Sequence, residues 1–142
     1  MPEKLKTPKE RLILNKSLFG IYLTQKRQEK GLTLRELASM VNISHTYLYN
    51  IENGFKAPPN DKLLLELADA LELSESAKRM WFDISAKTKQ IIDNSNYHIP
   101  TDIRMYLSDC EKACEAIKKA KTLGVEDEFW NKILKEIEKY VP

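Results

Sequence analysis

Residues 34–54 read LRELASMVNISHTYLYNIENG, and their apolar pattern predicts two short helices joined by a tight turn. Seven of these positions are Leu, Ile, Val or Met, but the helical rhythm stops at Asn42 and restarts in a different phase. Asn adopts the left-handed conformation that such a turn requires more readily than any residue except Gly. The stretch therefore predicts two small helices that share one core.

The ends of these two helices carry recognisable capping residues. Thr33 and Glu36 have the spacing of a capping box, in which each side chain satisfies a free backbone amide, and Ser44 is a suitable N-cap for the second helix. The second helix needs Leu48 and Ile51 on its inner side. At 100° per residue its outer face then carries His45, Thr46, Tyr49, Asn50 and Asn53.

This outer face has the chemistry that reads base edges in the major groove of DNA. It carries no acid and is rich in groups that donate and accept hydrogen bonds, and a recognition helix enters the groove N-terminus first. The residues expected to read bases are Ser44, His45, Thr46, Tyr49 and Asn50. Those expected to contact phosphates are Thr33, Arg35, Tyr47, Asn53 and Lys56, with Lys26 and Lys30 as further cations in suitable segments.

Asn50 is the best candidate for reading a base, because an Asn side chain can form two hydrogen bonds to adenine. The alternative for Asn50 and for His45 is contact with phosphate or water. Tyr47 and Tyr49 are ambiguous, since either ring could pack against the preceding helix or reach a phosphate.

The whole pattern predicts an all-α protein in four parts. Residues 1–16 form an N-terminal arm, whose ERLIL core suits a turn of helix, and residues 17–88 form a five-helix DNA-binding domain. Residues 89–99 form a connection, and residues 100–142 a C-terminal helical segment for dimerisation or interaction. The apolar stripes of the helices predict that Met80, Trp81, Phe129 and Trp130 are core residues.

The charge is unevenly distributed along the chain. The net charge is only +2, but residues 1–62 hold 11 Lys or Arg and 6 Asp or Glu, whereas residues 63–142 hold 12 and 15. A basic front half beside an acidic rear half fits a molecule that presents one face to a polyanion, although half of a sequence need not form one surface.

Several classes of function are not indicated. There is no uninterrupted apolar run of about 18 residues and no signal peptide, so we expect a cytoplasmic protein without a membrane span. Cys110 and Cys114 lack nearby metal ligands and have an awkward spacing for a disulfide, so we interpret them as small residues on a packed face. No catalytic arrangement, phosphate-binding loop or metal motif is present, and we expect no enzyme activity, cofactor or metal.

The opening stretch resembles the helix-turn-helix of the phage-repressor-like Cro/XRE family, whose domain has five helices. Similar proteins carry L-x-E-L-A, a turn, and then S-x-x-Y-L-x-x-I-E-x-G. Here these motifs are residues 34–38, LRELA, and residues 44–54, SHTYLYNIENG. The resemblance covers roughly residues 17–86 and implies a sequence-specific transcriptional regulator. It departs from the family at Leu34, where Gln is common, and at Asn42, where Gly is common.

The resemblance also implies an ion pair between Arg27 and Glu52. An anionic Glu52 near the phosphates would otherwise be unneutralised, and Arg offers a bidentate hydrogen-bonded partner. The alternative is that the two are independent surface charges.

The expected partners are a double-stranded DNA operator and a second copy of the chain, because one monomer reads only a short half-site. The rear segment also resembles the tails of small regulators from mobile elements. We expect a bacterial or mobile-element protein that is cytoplasmic and associated with the nucleoid. Genes of that kind often neighbour a toxin or an anti-repressor metallopeptidase. Three hypotheses follow: a dimeric repressor, an antitoxin whose rear segment binds a toxin, and a protein-interaction module that kept the fold without using DNA.

Overall fold

A computed structural model describes residues 16–93 and 98–142 of the chain, and within them every regular element is a helix, as predicted. The predicted arm up to residue 15, including its ERLIL turn, and residues 94–97 of the predicted connection lie outside the described residues. The elements are a π-helical turn (Lys16–Gly20), α1 (Ile21–Glu29), α2 (Leu34–Met40), α3 (His45–Glu52), α4 (Asp61–Ala70), α5 (Glu75–Asp93), α6 (Thr101–Asp109), α7 (Glu111–Leu123) and α8 (Asp127–Glu138).

The chain divides into two compact units, the first ending at Ile103 and the second covering Arg104–Pro142. Helix α5 continues to Asp93 and so enters the segment that the sequence suggested as a connection. The four predicted parts of the chain stay predictions. Among the described residues, no helix is both long enough and apolar enough to cross a membrane.

The core of the first unit is an apolar cluster to which the π-helical turn and helices α1–α5 contribute. Trp81 on α5 is fully buried, its ring centroid lies 4.7 Å from that of Phe19, and its indole N–H donates to the carbonyl of Leu64 at 3.0 Å. That hydrogen bond satisfies the one polar atom of the ring, so the side chain is buried without an unpaired donor. The buried members are Phe19, Leu23, Leu37, Ala38, Val41, Leu48, Ile51, Leu64, Leu67, Ala68, Leu71, Trp81 and Phe82.

Three of the four apolar residues predicted as core are exposed. Met80 is 53% exposed, because the buried face of α5 is centred on Trp81, Phe82 and Ser85 and leaves Met80 on the opposite side. Phe129 and Trp130 are 41% and 38% exposed, and α8 has no buried residue. The stripe on α8 was therefore correctly located, but the prediction that it belongs to a core is wrong.

The turn between α2 and α3 is a Schellman motif centred on Asn42. The amide of Ile43 donates to the carbonyl of Ala38 at 3.0 Å and that of Asn42 to Ser39 at 3.3 Å, so two free carbonyls of α2 are satisfied. Asn42 has φ 56°, the left-handed conformation that the sequence predicted. The capping box of Thr33 and Glu36 and the N-cap Ser44 are also confirmed. The local sequence therefore fixes how α3 leaves α2.

Gly20 marks the place where the start of α1 comes closest to the end of α3. Its backbone is helical, with φ −60° and ψ −43°, so glycine is not required there for conformational freedom. A Cβ atom at this position would instead overlap the carbonyl oxygen of Glu52 and lie 3.1 Å from that of Ile51. The absence of a side chain therefore allows the two backbones to approach.

We expect Asn42→Ala to lower the free energy of unfolding by about 1 kcal/mol, because Ala is strained at a positive φ. Asn42→Gly should be neutral or slightly stabilising, since glycine adopts this conformation without steric cost. Urea unfolding of both variants checks this, with the exposed helical residue Ser39→Ala as control. Equal stability of the Ala and Gly variants would contradict the argument.

Gly20→Ala should destabilise the first unit by roughly 1–3 kcal/mol, the usual cost of forcing extra volume into a closely packed contact. The contact is with backbone atoms, which cannot move aside as a flexible side chain would. Thermal and urea unfolding measure the effect, and Gln28→Ala on the exposed side of α1 should change stability little. An unchanged midpoint for Gly20→Ala would show that the helices have room to separate.

Candidate nucleic-acid interface

Helix α3 presents its polar side outward because three of its other residues are buried. Leu48, Ile51 and Glu52 are 0%, 2% and 4% exposed, and they occupy one side of the helix. Ser44 caps the first turn by accepting a hydrogen bond from the amide of Tyr47 at 3.0 Å. The first amides of such a helix have no intrahelical acceptor, and they point out of its N-terminal end.

The predicted base-reading residues share the outward side and the start of α3. Ser44, His45, Thr46 and Tyr49 are exposed, and Asn50 is half-buried. The backbone carbonyl of Asn50 accepts from the amides of Phe55 and Lys56 at 2.8 and 3.1 Å, so the main chain of Asn50 closes the end of α3. These hydrogen bonds involve only main-chain atoms, and they hold Lys56 beside the C-terminal end of α3.

The single carboxylate of α3 is turned inward and held by Arg27. The Nε of Arg27 donates to Glu52 Oε2 at 2.7 Å and its Nη2 donates to Oε1 at 3.0 Å, a bidentate pair between α1 and α3. The remaining terminal nitrogen, Nη1, donates to the carbonyl of Leu32 at 2.8 Å. One guanidinium thus ties α3 both to α1 and to the loop that leads into α2.

Thr24 is a further member of this cluster that the sequence did not reveal. Its Oγ1 lies 2.8 Å from Glu52 Oε1 and 2.8 Å from the carbonyl of Gly20, and its single hydroxyl proton is donated to one of these acceptors. The signal was hidden because Thr24 and Glu52 are 28 residues apart, and no local pattern couples them. The role of Gly20 was also hidden from the sequence, because it depends on close contact with the end of α3.

The predicted phosphate contacts fall at the edges of α2 and α3. Thr33 and Arg35 are exposed at the start of α2, and the Thr33 hydroxyl accepts from the amide of Glu36 at 3.1 Å while keeping its own proton to donate. Tyr47 is half-buried against the core. The side-chain amide of Asn53 donates to the carbonyl of Tyr49 at 2.9 Å. Lys56 is exposed.

Two further cations considered for phosphate contact are engaged with carboxylates. Lys26 pairs with Glu29 at 3.2 Å, and Lys30 pairs with Glu72, which is 42 residues away in sequence. Both lysines line a small cleft beside the turn between α4 and α5. They contribute less free positive charge than their sequence positions suggested.

Phe55 is an exposed aromatic residue to which the sequence analysis gave no role. It follows Gly54 at the end of α3, precedes Lys56, and is 55% exposed. An apolar ring next to the exposed Lys56 adds van der Waals contact surface at the same edge as the predicted phosphate contact. The sequence signal that could have indicated it was an aromatic residue between Gly54 and Lys56, after the predicted end of the helix.

The described residues hold no metal centre. No group of three or more His, Cys, Asp or Glu side chains within 16–93 and 98–142 is placed to hold a metal ion.

Comparison with known proteins assigns a segment of the first unit to a protein family. Residues 23–77 match the family model described as Helix-turn-helix, in its Cro/C1 type, the XRE family. No curated protein matches the chain. The matched segment runs from α1 into the start of α5 and contains the α2–α3 turn and the cluster around Glu52.

This segment is therefore a helix-turn-helix domain of the Cro/XRE type, as the sequence predicted, and the match supports a DNA-binding regulator in general. The family is a DNA-binding and non-enzymatic one.

Arg27→Ala should lower the free energy of unfolding by about 3–5 kcal/mol, because it leaves a buried carboxylate without its partner. The side chains of Arg27 and Glu52 are only 12% and 5% exposed, so water cannot replace the lost hydrogen bonds. DNA affinity should fall as well, since α3 loses its attachment to α1.

The matched control is Lys78→Ala, which removes a half-buried cation 3.9 Å from the exposed Glu75 and should change stability by less than about 1 kcal/mol. Urea unfolding of both variants decides the matter. If Arg27→Ala costs no more than Lys78→Ala, the pair is not the attachment that its geometry suggests.

Proposed function

We propose that this protein is a sequence-specific transcriptional regulator that binds double-stranded DNA as a dimer and represses transcription. The helix that starts after Ser44 enters the major groove, with Ser44, His45, Thr46, Tyr49 and Asn50 at the base edges. Thr33, Arg35, Tyr47, Asn53 and Lys56 contact phosphates. The protein acts in the cytoplasm at the nucleoid, without enzyme activity or cofactor.

The observation that carries this proposal is the exposed, acid-free polar side of α3. The one carboxylate of the helix, Glu52, is 4% exposed and neutralised by Arg27, so it cannot repel a phosphate backbone. Ser44, His45, Thr46 and Tyr49 are left as the outward surface. A helix with this surface offers donors, acceptors and methyl groups to base edges without an electrostatic penalty.

Dimerisation follows from the size of one reading surface. A single recognition helix covers only a short half-site, and paired domains place two such helices about 34 Å apart on one side of the duplex. A dimer bound across a promoter excludes polymerase by occupying the same DNA, which is the simplest mechanism of repression.

Selection of bound sequences from random duplex DNA tests the proposal, followed by footprinting of the selected sequence. The expected result is an inverted repeat whose half-sites are one helical turn, about 10 base pairs, apart. Affinity should fall steeply with salt, because phosphate contacts release counterions. No enrichment of any sequence together with a salt-independent affinity would overturn the proposal and favour a protein-interaction module.

Asn50→Ala and Lys56→Ala should separate base reading from phosphate contact. Asn50→Ala removes only the side chain and leaves the carbonyl that closes α3, so we expect loss of about 1–3 kcal/mol of discrimination at one base pair. Lys56→Ala should weaken binding to selected and random DNA equally and reduce the salt slope by about 1.

Lys87→Ala, an exposed lysine on α5 outside the helix-turn-helix, is the control for charge removal and should leave both affinities unchanged. Binding is measured by fluorescence anisotropy on the selected site, on singly substituted sites and on random duplex. Equal losses for Asn50→Ala on every sequence would remove it from the base-reading set.

A further inference from the structure

Two helices of the second unit leave apolar side chains exposed. On α8, Trp130, Leu134 and Ile137 are 38%, 57% and 56% exposed, and on α7, Ile117 and Leu123 are 44% and 79% exposed. Such residues are usually buried, and contiguous apolar patches of this kind mark interaction surfaces. The charges beside each stripe show which partner fits it.

The apolar stripe of α8 has acidic edges. At 100° per residue, Glu136 lies along one edge of the stripe, and Asp127 and Glu138 lie along the other. The lysines of this helix, Lys132 and Lys135, are on the side opposite the stripe, and Lys139, directly after the helix, pairs with Glu136 at 2.6 Å between exposed side chains. We call the stripe with these three acids the acidic-edged face.

The apolar stripe of α7 has basic edges. It is made of Ala113, Ala116, Ile117, Ala120 and Leu123, of which Ala120 is already buried within the chain and Ala116, Ile117 and Leu123 are exposed. The acids Glu111 and Glu115 lie on the opposite side. Lys112 and Lys119 lie along one edge and Lys121 along the other. We call this the basic-edged face.

The lysines of the basic-edged face can exchange partners at little cost. Lys112 and Lys119 lie 3.4 and 3.2 Å from Glu115 on their own helix, and their side chains are 90% and 73% exposed. Exposed pairs of this kind contribute less than about 1 kcal/mol, so a partner's carboxylate competes with them readily.

We propose that the basic-edged face of α7 packs against the acidic-edged face of α8 in a second copy of the chain, and reciprocally. The two-fold symmetry of such a dimer buries both stripes of both chains at once and places lysine edges beside acidic edges. The inference rests on the proposed function in one respect: a dimer is what that function requires.

Other occupants fit these faces less well. Pairing α8 with α8 would set acidic edges against each other, and pairing α7 with α7 would do the same with lysines. Within one chain, the ion pairs that the described residues show on α7 and α8 each join two residues of the same helix. The stripe of α8 stays exposed in that state. Contact of α7 in one copy with α8 in the other buries the apolar stripes and also places opposite charges side by side.

Two complementary charge reversals of the full-length protein test the exchange. One variant carries Lys112→Glu, Lys119→Glu and Lys121→Glu, and the other carries Asp127→Lys, Glu136→Lys and Glu138→Lys. Each variant alone brings edges of like charge together, so it should sediment as a monomer, whereas wild type should sediment at twice the 16.5 kDa chain mass. An equimolar mixture should restore the dimer, because both contacts are then between opposite charges.

The control reverses Lys132 and Lys135 to Glu on the opposite side of α8, and it should stay dimeric; Lys139 is left unchanged because it pairs with Glu136 of the acidic-edged face at 2.6 Å. Circular dichroism and the unfolding transition show whether each variant is folded. If a triple variant loses its helices, two single variants test the same interface. Leu134→Ala removes an apolar side chain of the α8 stripe and should raise the dimer dissociation constant about tenfold or more, whereas Lys135→Ala on the opposite side should leave it unchanged.

Three results would overturn the exchange: a monomeric wild type, a mixture that stays monomeric, or a variant of α7 that alone stays as dimeric as wild type. The last would indicate pairing of α8 with itself, and the first would leave both faces for a different protein, such as a toxin. Binding of the monomeric variants to a single half-site tests α3 separately. If the charge-reversed variants behave as expected but no DNA sequence is bound selectively, the proposed function is wrong while the proposed dimer contact stands.

Discussion

The buried carboxylate of Glu52 is the constraint around which the first unit is organised. A carboxylate removed from water is strongly unfavourable unless its charge is matched and its oxygens accept hydrogen bonds. Arg27 supplies two of those bonds, and Thr24 lies within hydrogen-bond distance of the same carboxylate. All these groups must be in place together, so α1 and α3 have little freedom to slide or rotate. Gly20 belongs to the same arrangement, because its missing side chain lets the helices come close enough for the pair to form. The anion that would most disturb an approach to phosphates is thereby used to position the helix that makes the approach.

The direction in which α3 leaves α2 is set by how α2 ends, and α4 ends in the same way. The same hydrogen-bonding pattern that closes α2 at Asn42 closes α4 at Glu72, where the amide of Leu73 donates to the carbonyl of Ala68 at 3.2 Å. Glu72 has φ 50° and, like Asn42, occupies a position where glycine is most common. At Glu72 the side chain has a use that glycine would lack, because it pairs with Lys30 at the end of α1. The turn after α4 thus ends that helix and also links it to the end of α1 through an ion pair.

Local features of the first unit were predictable from the sequence, and features that depend on distant partners were not. The capping box of Thr33, the N-cap Ser44 and the left-handed Asn42 involve neighbours within four residues, so their sequence pattern specifies them. Periodicity alone placed the inner and outer sides of α3. Thr24 and Gly20 escaped notice because the helix that gives them a role is supplied by a remote part of the chain. Met80 was misplaced because an apolar stripe locates a face only to within about one residue's rotation. The apolar stripe predicted on α8 is present, but periodicity does not indicate whether such a stripe packs within its own chain or against another molecule.

The distribution of the two tryptophans has a practical consequence. Trp81 is fully buried in the first unit beside Phe19 and donates to a backbone carbonyl, whereas Trp130 is 38% exposed in the second unit beside Phe129. These environments differ in polarity and in access to solvent, and tryptophan emission and collisional quenching respond to both. With one ring in each unit, intrinsic fluorescence can follow the melting of one unit and the solvent exposure of the other in the same cuvette. No extrinsic dye is needed, since replacing either ring by phenylalanine assigns the remaining signal.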